Sequence, residues 1–160
     1  MEKKAVPVGI EDFKELIQEG YYYIDKTLLI DEMLMNKSKV TLFTRPRRFG
    51  KTLNMSMLKY FFDVKDKEEN KKLFENLKIY NSEYMSEHGK YPVIFISLKD
   101  LKGNTWEENF MLIKKHIKNL YMEFYGLKDK LNPIFKNDFE KIVMEKEDAD
   151  WIYSLKNLSN

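Results

Sequence analysis

The sequence has 160 residues, 43% hydrophobic and 34% charged, which is typical of one globular domain, or slightly more, with a buried core. Its 28 basic and 26 acidic residues give a net charge of +2, a balance that does not predict a nucleic-acid or membrane partner. Because cysteine, a signal-peptide core and an apolar run of roughly 20 residues are all absent, we expect a cytoplasmic protein without disulfides.

The N-terminal segment, residues 1–38, is predicted to hold two amphipathic helices. In the first, apolar side chains recur at helical spacing and Gly20 is well placed as the stop. In the second, Asp25 is a candidate cap, and the helix is expected to run to about Asn36. The apolar positions are Ile10, Phe13, Leu16 and Ile17 in the first helix and Leu28, Leu29, Met33 and Leu34 in the second.

Residues 39–104 are predicted to contain two buried strands and a helix. Val40–Thr44 is short, apolar and rich in β-branched residues, and Pro92–Leu98 is the clearest strand pattern in the sequence. A helical pattern begins at Lys51. This order predicts an α/β fold with a parallel sheet flanked by helices. Two strands are too few for a complete three-layer core, so we expect the sheet to be incomplete at the C-terminus.

The C-terminal segment, residues 105–160, is predicted to be helical. Thr105 and Glu108 have the spacing of a capping box, and Pro133 is expected to begin a further element. The helix after the capping box is expected to end at Gly126. It carries a regular apolar stripe of Trp106, Phe110, Ile113, Ile117, Leu120 and Phe124. We favour packing of this stripe against the sheet over a coiled coil, because the sequence offers no matching partner segment.

The chemistry-bearing motif lies between the first predicted strand and the helix that follows. The segment Arg45–Thr52 (RPRRFGKT, hereafter the GKT loop) matches the P-loop or Walker A pattern GxxxxGK[ST] except at its first glycine. Gly50 lets the backbone approach phosphates closely, Lys51 reaches the β- and γ-phosphates, and the Thr52 hydroxyl binds magnesium. The sequence therefore predicts binding of ATP or GTP with Mg²⁺ through Arg45, Pro46, Arg47, Arg48, Phe49, Gly50, Lys51 and Thr52.

Two other interpretations of the GKT loop stay open. Arg45, Arg47, Arg48 and Lys51 form the only dense basic cluster in the chain, which also suits a nucleic-acid or partner-binding module that contacts phosphodiesters without using a nucleotide. For each arginine, a side chain that points to solvent or pairs with a local carboxylate is an equally good explanation. A third interpretation is a non-catalytic remnant whose open sheet edge promotes self-association.

Hydrolysis requires an acidic residue at the end of a neighbouring strand to hold magnesium and orient water. Asp100, two residues beyond Leu98, is the one strand-end candidate in the sequence. The acidic run at residues 145–150 follows a helical pattern and is more typical of a solvated turn. We therefore assign no catalytic residue, and the sequence predicts nucleotide binding without a clear hydrolytic partner.

Three stretches, Val8–Phe13, Tyr21–Thr27 and Phe43–Leu53, together resemble the N-terminal part of the bacterial AAA-ATPase-like P-loop family. Members of that family commonly carry a C-terminal nuclease-like domain of the PD-(D/E)XK type. The resemblance makes arginine at the first-glycine position the family's own variant of the motif. It implies an AAA+/STAND-like P-loop NTPase core in which Lys51 and Thr52 keep their roles.

The resemblance further implies that Tyr23, Asp25 and Lys26 lie near the nucleotide base, although packing aromatics explain Tyr21–Tyr23 equally well. In the family, a strand ending in an acidic pair follows shortly after the point where this sequence stops, so we expect the chain to be an N-terminal fragment. The sequence contains no nuclease signature, and nuclease activity is not carried over. The resemblance leaves nucleic acid open as a partner of full-length family members.

Overall fold

The computed structural model describes residues 4–46, 48–99 and 101–159. Over these residues the chain forms seven α-helices: α1 (Phe13–Gln18), α2 (Leu28–Asn36), α3 (Lys51–Phe62), α4 (Lys67–Lys71), α5 (Trp106–Glu123), α6 (Pro133–Val143) and α7 (Ser154–Leu158). Shorter 3-10 helices lie at Lys72–Phe74, Lys78–Asn81, Glu83–Glu87 and Tyr125–Lys130. None of the described helices is both long enough and apolar enough to cross a membrane.

The chain divides into two compact units, residues 1–93 and 94–160. The first unit has a core formed mainly by α1, α2, α3 and the 3-10 segments. Its buried side chains are Phe13, Ile30, Met57, Leu58, Phe61, Leu73, Phe74 and Ile79. Phe74 joins the helices, since its ring stacks on Phe13 with centroids 5.2 Å apart and meets the Phe61 ring edge-on at 5.4 Å. This packing buries one face of α3 and fixes the helix within the unit.

The second unit has its own core, in which α5, α6 and α7 pack together. Ile117, Tyr121, Phe139 and Ile142 are buried in it, and the Tyr121 and Phe139 ring centroids lie 4.8 Å apart. The Tyr121 hydroxyl donates a buried hydrogen bond to the carbonyl oxygen of Ser154 at 2.6 Å. This bond ties the first residue of α7 to α5.

The predicted α/β fold, a P-loop NTPase of AAA+/STAND-like type with a parallel sheet, is wrong for the described residues, which form helices and no sheet. Both predicted strands, Val40–Thr44 and Pro92–Leu98, lie outside regular structure. Val40 is 85% exposed and Leu98 is 68% exposed. The apolar, β-branched pattern of each segment is typical of a buried strand. A strand also needs neighbouring strands that pair its backbone groups in a ladder, and neither segment belongs to a sheet within the described residues.

The one described β-contact is an isolated parallel bridge between Asp63 and Tyr91. The Tyr91 N–H donates to the Phe62 carbonyl at 2.9 Å, and the Val64 N–H donates to the Tyr91 carbonyl at 2.8 Å. This bridge lies beyond the end of α3 and outside both predicted strands. It joins two segments of the chain at one point and does not extend into a sheet.

The predicted packing of the α5 stripe is also wrong. Trp106 at its N-terminal end is 70% exposed, whereas Ile117 and Leu120 near its C-terminal end are buried. With no sheet in the described residues, the buried part of α5 packs on α6 and α7 instead. The helix ends at Glu123, before Gly126, and a 3-10 helix follows.

The predicted starts of α3, α5 and α6 are confirmed, because they depend on local capping chemistry. The predicted cap of α2 is wrong: Thr27, not Asp25, precedes the helix, and no side chain caps it. Thr105 caps α5 by accepting a hydrogen bond from the Glu108 N–H at 3.2 Å, and the Glu108 carboxylate accepts from the Asn104 N–H, one residue before the standard capping-box partner. Helix α6 begins at Pro133, as predicted, with Asn132 as its cap. Helix α3 begins at Lys51, where the helical pattern starts.

Candidate functional site

The first turn of α3 leaves its backbone donors available. Gly50 is the residue that precedes the helix, and it adopts a left-handed conformation with φ 72°. Among the described residues, no acceptor pairs with the N–H groups of Lys51, Thr52 and Leu53. The first turn also contains no acidic side chain. In contrast, α1, α5 and α6 are each capped by a side-chain oxygen. Free N–H groups at a helix N-terminus attract anions.

The GKT loop leading into α3 is open to solvent. Arg45, Pro46, Arg48 and Phe49 are exposed, and Arg47 lies outside the described residues. Arg48 has a positive φ of 67°, which is unfavourable for a residue with a side chain. Two left-handed residues within three positions turn the chain sharply at Arg48–Gly50 and bring it into the helix.

The Lys51 ammonium points back along its own loop. It donates hydrogen bonds to the carbonyl oxygens of Arg45 and Pro46, the latter at 3.1 Å. The Lys51 ammonium is therefore held by backbone carbonyls of the loop that leads into α3. Thr52, the second residue of α3, is exposed, so its hydroxyl is accessible from solvent. The described residues contain no group of three or more His, Cys, Asp or Glu suited to holding a metal ion.

Two polar contacts, one of them buried, fix the body of α3 against α1. The Phe13 N–H, at the start of α1, donates to the Ser56 hydroxyl oxygen at 2.7 Å in a buried hydrogen bond. One turn further along, the Tyr60 hydroxyl donates to the Asp12 carboxylate at 2.9 Å. These contacts hold the helix whose N-terminus carries the GKT loop.

The segment Tyr23–Thr27 is braced from several directions. Burial raises the pKa of the Tyr23 hydroxyl to about 12, and this hydroxyl donates to the Met57 sulfur on α3 at 3.4 Å. It also accepts the Lys26 N–H at 3.2 Å. The segment is therefore attached to the middle of α3 through one partly buried side chain.

Asp25 and Thr27 act together as a second brace. The Asp25 carboxylate accepts hydrogen bonds from the Thr27 hydroxyl at 2.7 Å, the Thr27 N–H at 2.9 Å and the Lys78 N–H at 2.8 Å. Burial raises its pKa, but these three donors outweigh burial, and the pKa of Asp25 is lowered. Thr27 in turn accepts the Ile79 N–H at 3.2 Å. The carboxylate is thus engaged in holding the chain, and its expected position near a nucleotide base stays a prediction.

Lys26, between these two braced residues, extends to the GKT loop. Its ammonium nitrogen lies 3.7 Å from the position that a Cβ atom would take at Gly50. Of the three residues expected near the base, Lys26 is therefore placed beside the loop expected to hold phosphates. Its backbone is fixed while its side chain is exposed.

The acidic candidates for hydrolysis receive no support. Asp100 lies outside the described residues. In the acidic run of the second unit, Glu145 pairs with Lys118, Asp148 pairs with Lys141 at 2.6 Å, and Asp150 accepts from backbone N–H groups of the following turn. These carboxylates make local contacts, as expected for a solvated turn.

Sequence reasoning missed the residues that seat α3. Ser56 and Tyr60 bond to α1 from within the helix, and neither belongs to a recognisable motif. A signal was available for Ser56, which stands next to the apolar Met57 and Leu58 and within the buried face. A hydroxyl at such a position needs a hydrogen-bond partner, and Ser56 has two: it donates to the Leu53 carbonyl at 3.2 Å within α3 and accepts the Phe13 N–H.

A family model described as "Predicted AAA-ATPase" matches residues 7–157, nearly the whole chain. The chain belongs to this AAA-ATPase-like family. The family resemblance inferred from the sequence is thereby confirmed, and the family name supports nucleotide binding in a broad sense. The match includes the GKT loop and the Tyr23–Thr27 segment.

One curated relative is described as "Uncharacterized protein in vnfD 5'region" of Azotobacter chroococcum mcd 1. It is 35% identical to this chain over 117 residues, which cover 67% of this chain and 21% of the relative. The matched region thus spans about a fifth of that protein. No solved structure matches the chain.

Proposed function

We propose that the chain binds a nucleoside triphosphate, ATP in the first instance, through the GKT loop. The observation that carries the proposal is the N-terminus of α3, where three backbone N–H groups lack an acceptor among the described residues and a lysine and a threonine follow a left-handed glycine. Membership in the AAA-ATPase-like family supports a nucleotide as the anion. The open, exposed loop leaves space for a phosphate chain.

Each residue of the loop has a distinct part in the proposed complex. Lys51 exchanges its two neutral carbonyl partners for charged phosphate oxygens, which form stronger hydrogen bonds with an ammonium. The free N–H groups of the first helical turn hold a phosphate without needing a positive side chain. Thr52 supplies one hydroxyl ligand to magnesium, and the phosphates supply others. The proposal covers binding and assigns no hydrolytic residue.

The test is a calorimetric titration of ATP with magnesium into the wild-type chain and into Lys51→Ala. We expect the ATP affinity of the variant to be about tenfold to 100-fold lower, because an ammonium–phosphate contact is worth about 1.5–3 kcal/mol. Lys65→Ala is the matched control, since it removes the same charge beyond the C-terminal end of the twelve-residue α3, about 18 Å from the loop.

The result also separates nucleotide binding from a general attraction to phosphates. Equal losses in Lys51→Ala and Lys65→Ala that diminish with added salt would contradict the proposal. They would favour the arginine-rich surface that contacts a nucleic-acid backbone. A folded wild-type chain that gives no binding heat with ATP and magnesium would reject the proposal outright.

A further inference from the structure

The position of Lys26 bears on which part of the nucleotide the first unit recognises. Its ammonium nitrogen lies 3.7 Å from the place of a Gly50 Cβ, at the point where the chain enters α3. Within the described residues, Lys26 makes no ion pair, and its ammonium donates no hydrogen bond. Among the described residues, no carboxylate therefore neutralises the Lys26 ammonium beside the GKT loop.

This placement is built into the fold. The Lys26 N–H is held by the Tyr23 hydroxyl, which is itself fixed on Met57 of α3. On either side, Asp25 and Thr27 are tied to each other and to the 3-10 helix Lys78–Asn81. The constrained backbone fixes where the Lys26 side chain begins, so its ammonium reaches the GKT loop without a change in the backbone.

The same placement is unfavourable without an anion. A helix N-terminus carries a partial positive charge, so a lysine beside it is repelled where a carboxylate would be attracted. Lys51 adds a second full positive charge at the same end of α3. A polyanionic ligand converts this repulsion into attraction, whereas an uncharged nucleoside base does not.

We infer that Lys26 is a second phosphate-binding lysine of the GKT loop, which recognises the di- or triphosphate chain of the nucleotide rather than its base. The inference rests on the proposed function. Lys26 reaches the phosphates from the segment before α2, and Lys51 reaches them from the first turn of α3. Two ammonium groups from different elements then flank the phosphate chain, which favours nucleoside di- and triphosphates over uncharged nucleosides.

The test compares Lys26→Gln with the wild-type chain for two ligands, ATP and inorganic tripolyphosphate, both with magnesium. Tripolyphosphate has no base, and its affinity is measured by displacement of a fluorescent ATP analogue. We expect Lys26→Gln to weaken both ligands by a similar factor, about tenfold to 100-fold. Lys26→Arg should restore most of the affinity because it keeps the charge, and Lys65→Gln, the charge-matched control, should change neither ligand.

Three outcomes overturn the inference while leaving the proposed function intact. Unchanged ATP affinity in Lys26→Gln shows that the lysine does not contact the ligand. Loss for ATP alone shows a contact with the nucleoside, and failure of tripolyphosphate to displace the analogue shows that phosphates alone do not define the site. In each of these cases Lys51→Ala still weakens ATP binding by the factor expected above. A wild-type chain that binds no ATP overturns both. Thermal unfolding of Lys26→Gln checks that the variant is folded, as expected for an exposed side chain.

Discussion

Gly50 combines two demands that a residue with a side chain cannot meet together. Its φ of 72° lies in the left-handed region, where a Cβ atom costs roughly 1–2 kcal/mol. A Cβ there would also lie 3.7 Å from the Lys26 ammonium nitrogen. The distance is an ordinary contact, so the fold tolerates the atom. The proposed ligand, whose phosphates approach the Gly50 backbone closely, does not tolerate the added Cβ atom.

Gly50→Ala is therefore expected to reduce stability slightly and ATP affinity strongly. We predict a loss of roughly 1–2 kcal/mol in the free energy of unfolding by urea, and at least about a tenfold loss in ATP affinity by calorimetry. Gly20→Ala is the control, because Gly20 has φ 70° and open space around its Cβ position. It should show the same loss of stability with unchanged affinity, and equal affinities in the two variants would contradict the role given to Gly50.

The helix that carries the GKT loop depends on one buried hydroxyl. Ser56 accepts the Phe13 N–H at 2.7 Å, and this N–H has no second acceptor among the described residues. We predict that Ser56→Ala lowers the free energy of unfolding by about 1–3 kcal/mol, because the variant leaves a buried donor unpaired. Urea unfolding measures the effect. The exposed Ser86 is the control, and Ser86→Ala should stay within about 0.5 kcal/mol of wild type. Equal losses in both variants would argue against this contact as the anchor of α3.

At the level of elements, the sequence predicted what local chemistry determines. Helix α3 begins at Lys51, and α6 begins at Pro133, since glycine, proline and capping side chains act on their immediate neighbours. The strands Val40–Thr44 and Pro92–Leu98 were predicted from composition alone. Their formation depends on distant pairing partners, which composition cannot supply, and the described chain leaves both outside any sheet.

The site shows the same division. The motif residues Gly50, Lys51 and Thr52 were recognisable because their function requires fixed spacing. The position of Lys26 beside Gly50 was not predictable from spacing, because it depends on how Tyr23 and Asp25 fold the preceding segment onto α3 and the 3-10 helix. Contacts between elements distant in sequence become visible only in three dimensions.

On the scale of the whole molecule, both units contain fully or partly buried tyrosines whose ionisation opposes folding. Burial raises the pKa values of Tyr23 and Tyr60 in the first unit and of Tyr121 in the second to about 12. In the unfolded chain these hydroxyls ionise near pH 10. Between about pH 10 and about pH 12 the folded chain therefore holds more protons than the unfolded chain, so stability falls as pH rises.

Tyr121→Phe tests this linkage in the second unit, where both tryptophans, Trp106 and Trp151, report unfolding by fluorescence. We expect the variant to be less stable at neutral pH, because it loses the hydrogen bond to the Ser154 carbonyl. Between about pH 10 and about pH 12 its free energy of unfolding should decline less steeply than that of wild type, since one fewer proton is released on unfolding. Parallel declines in the two proteins would show that Tyr121 ionises alike in the folded and unfolded chains, contrary to its burial against Phe139.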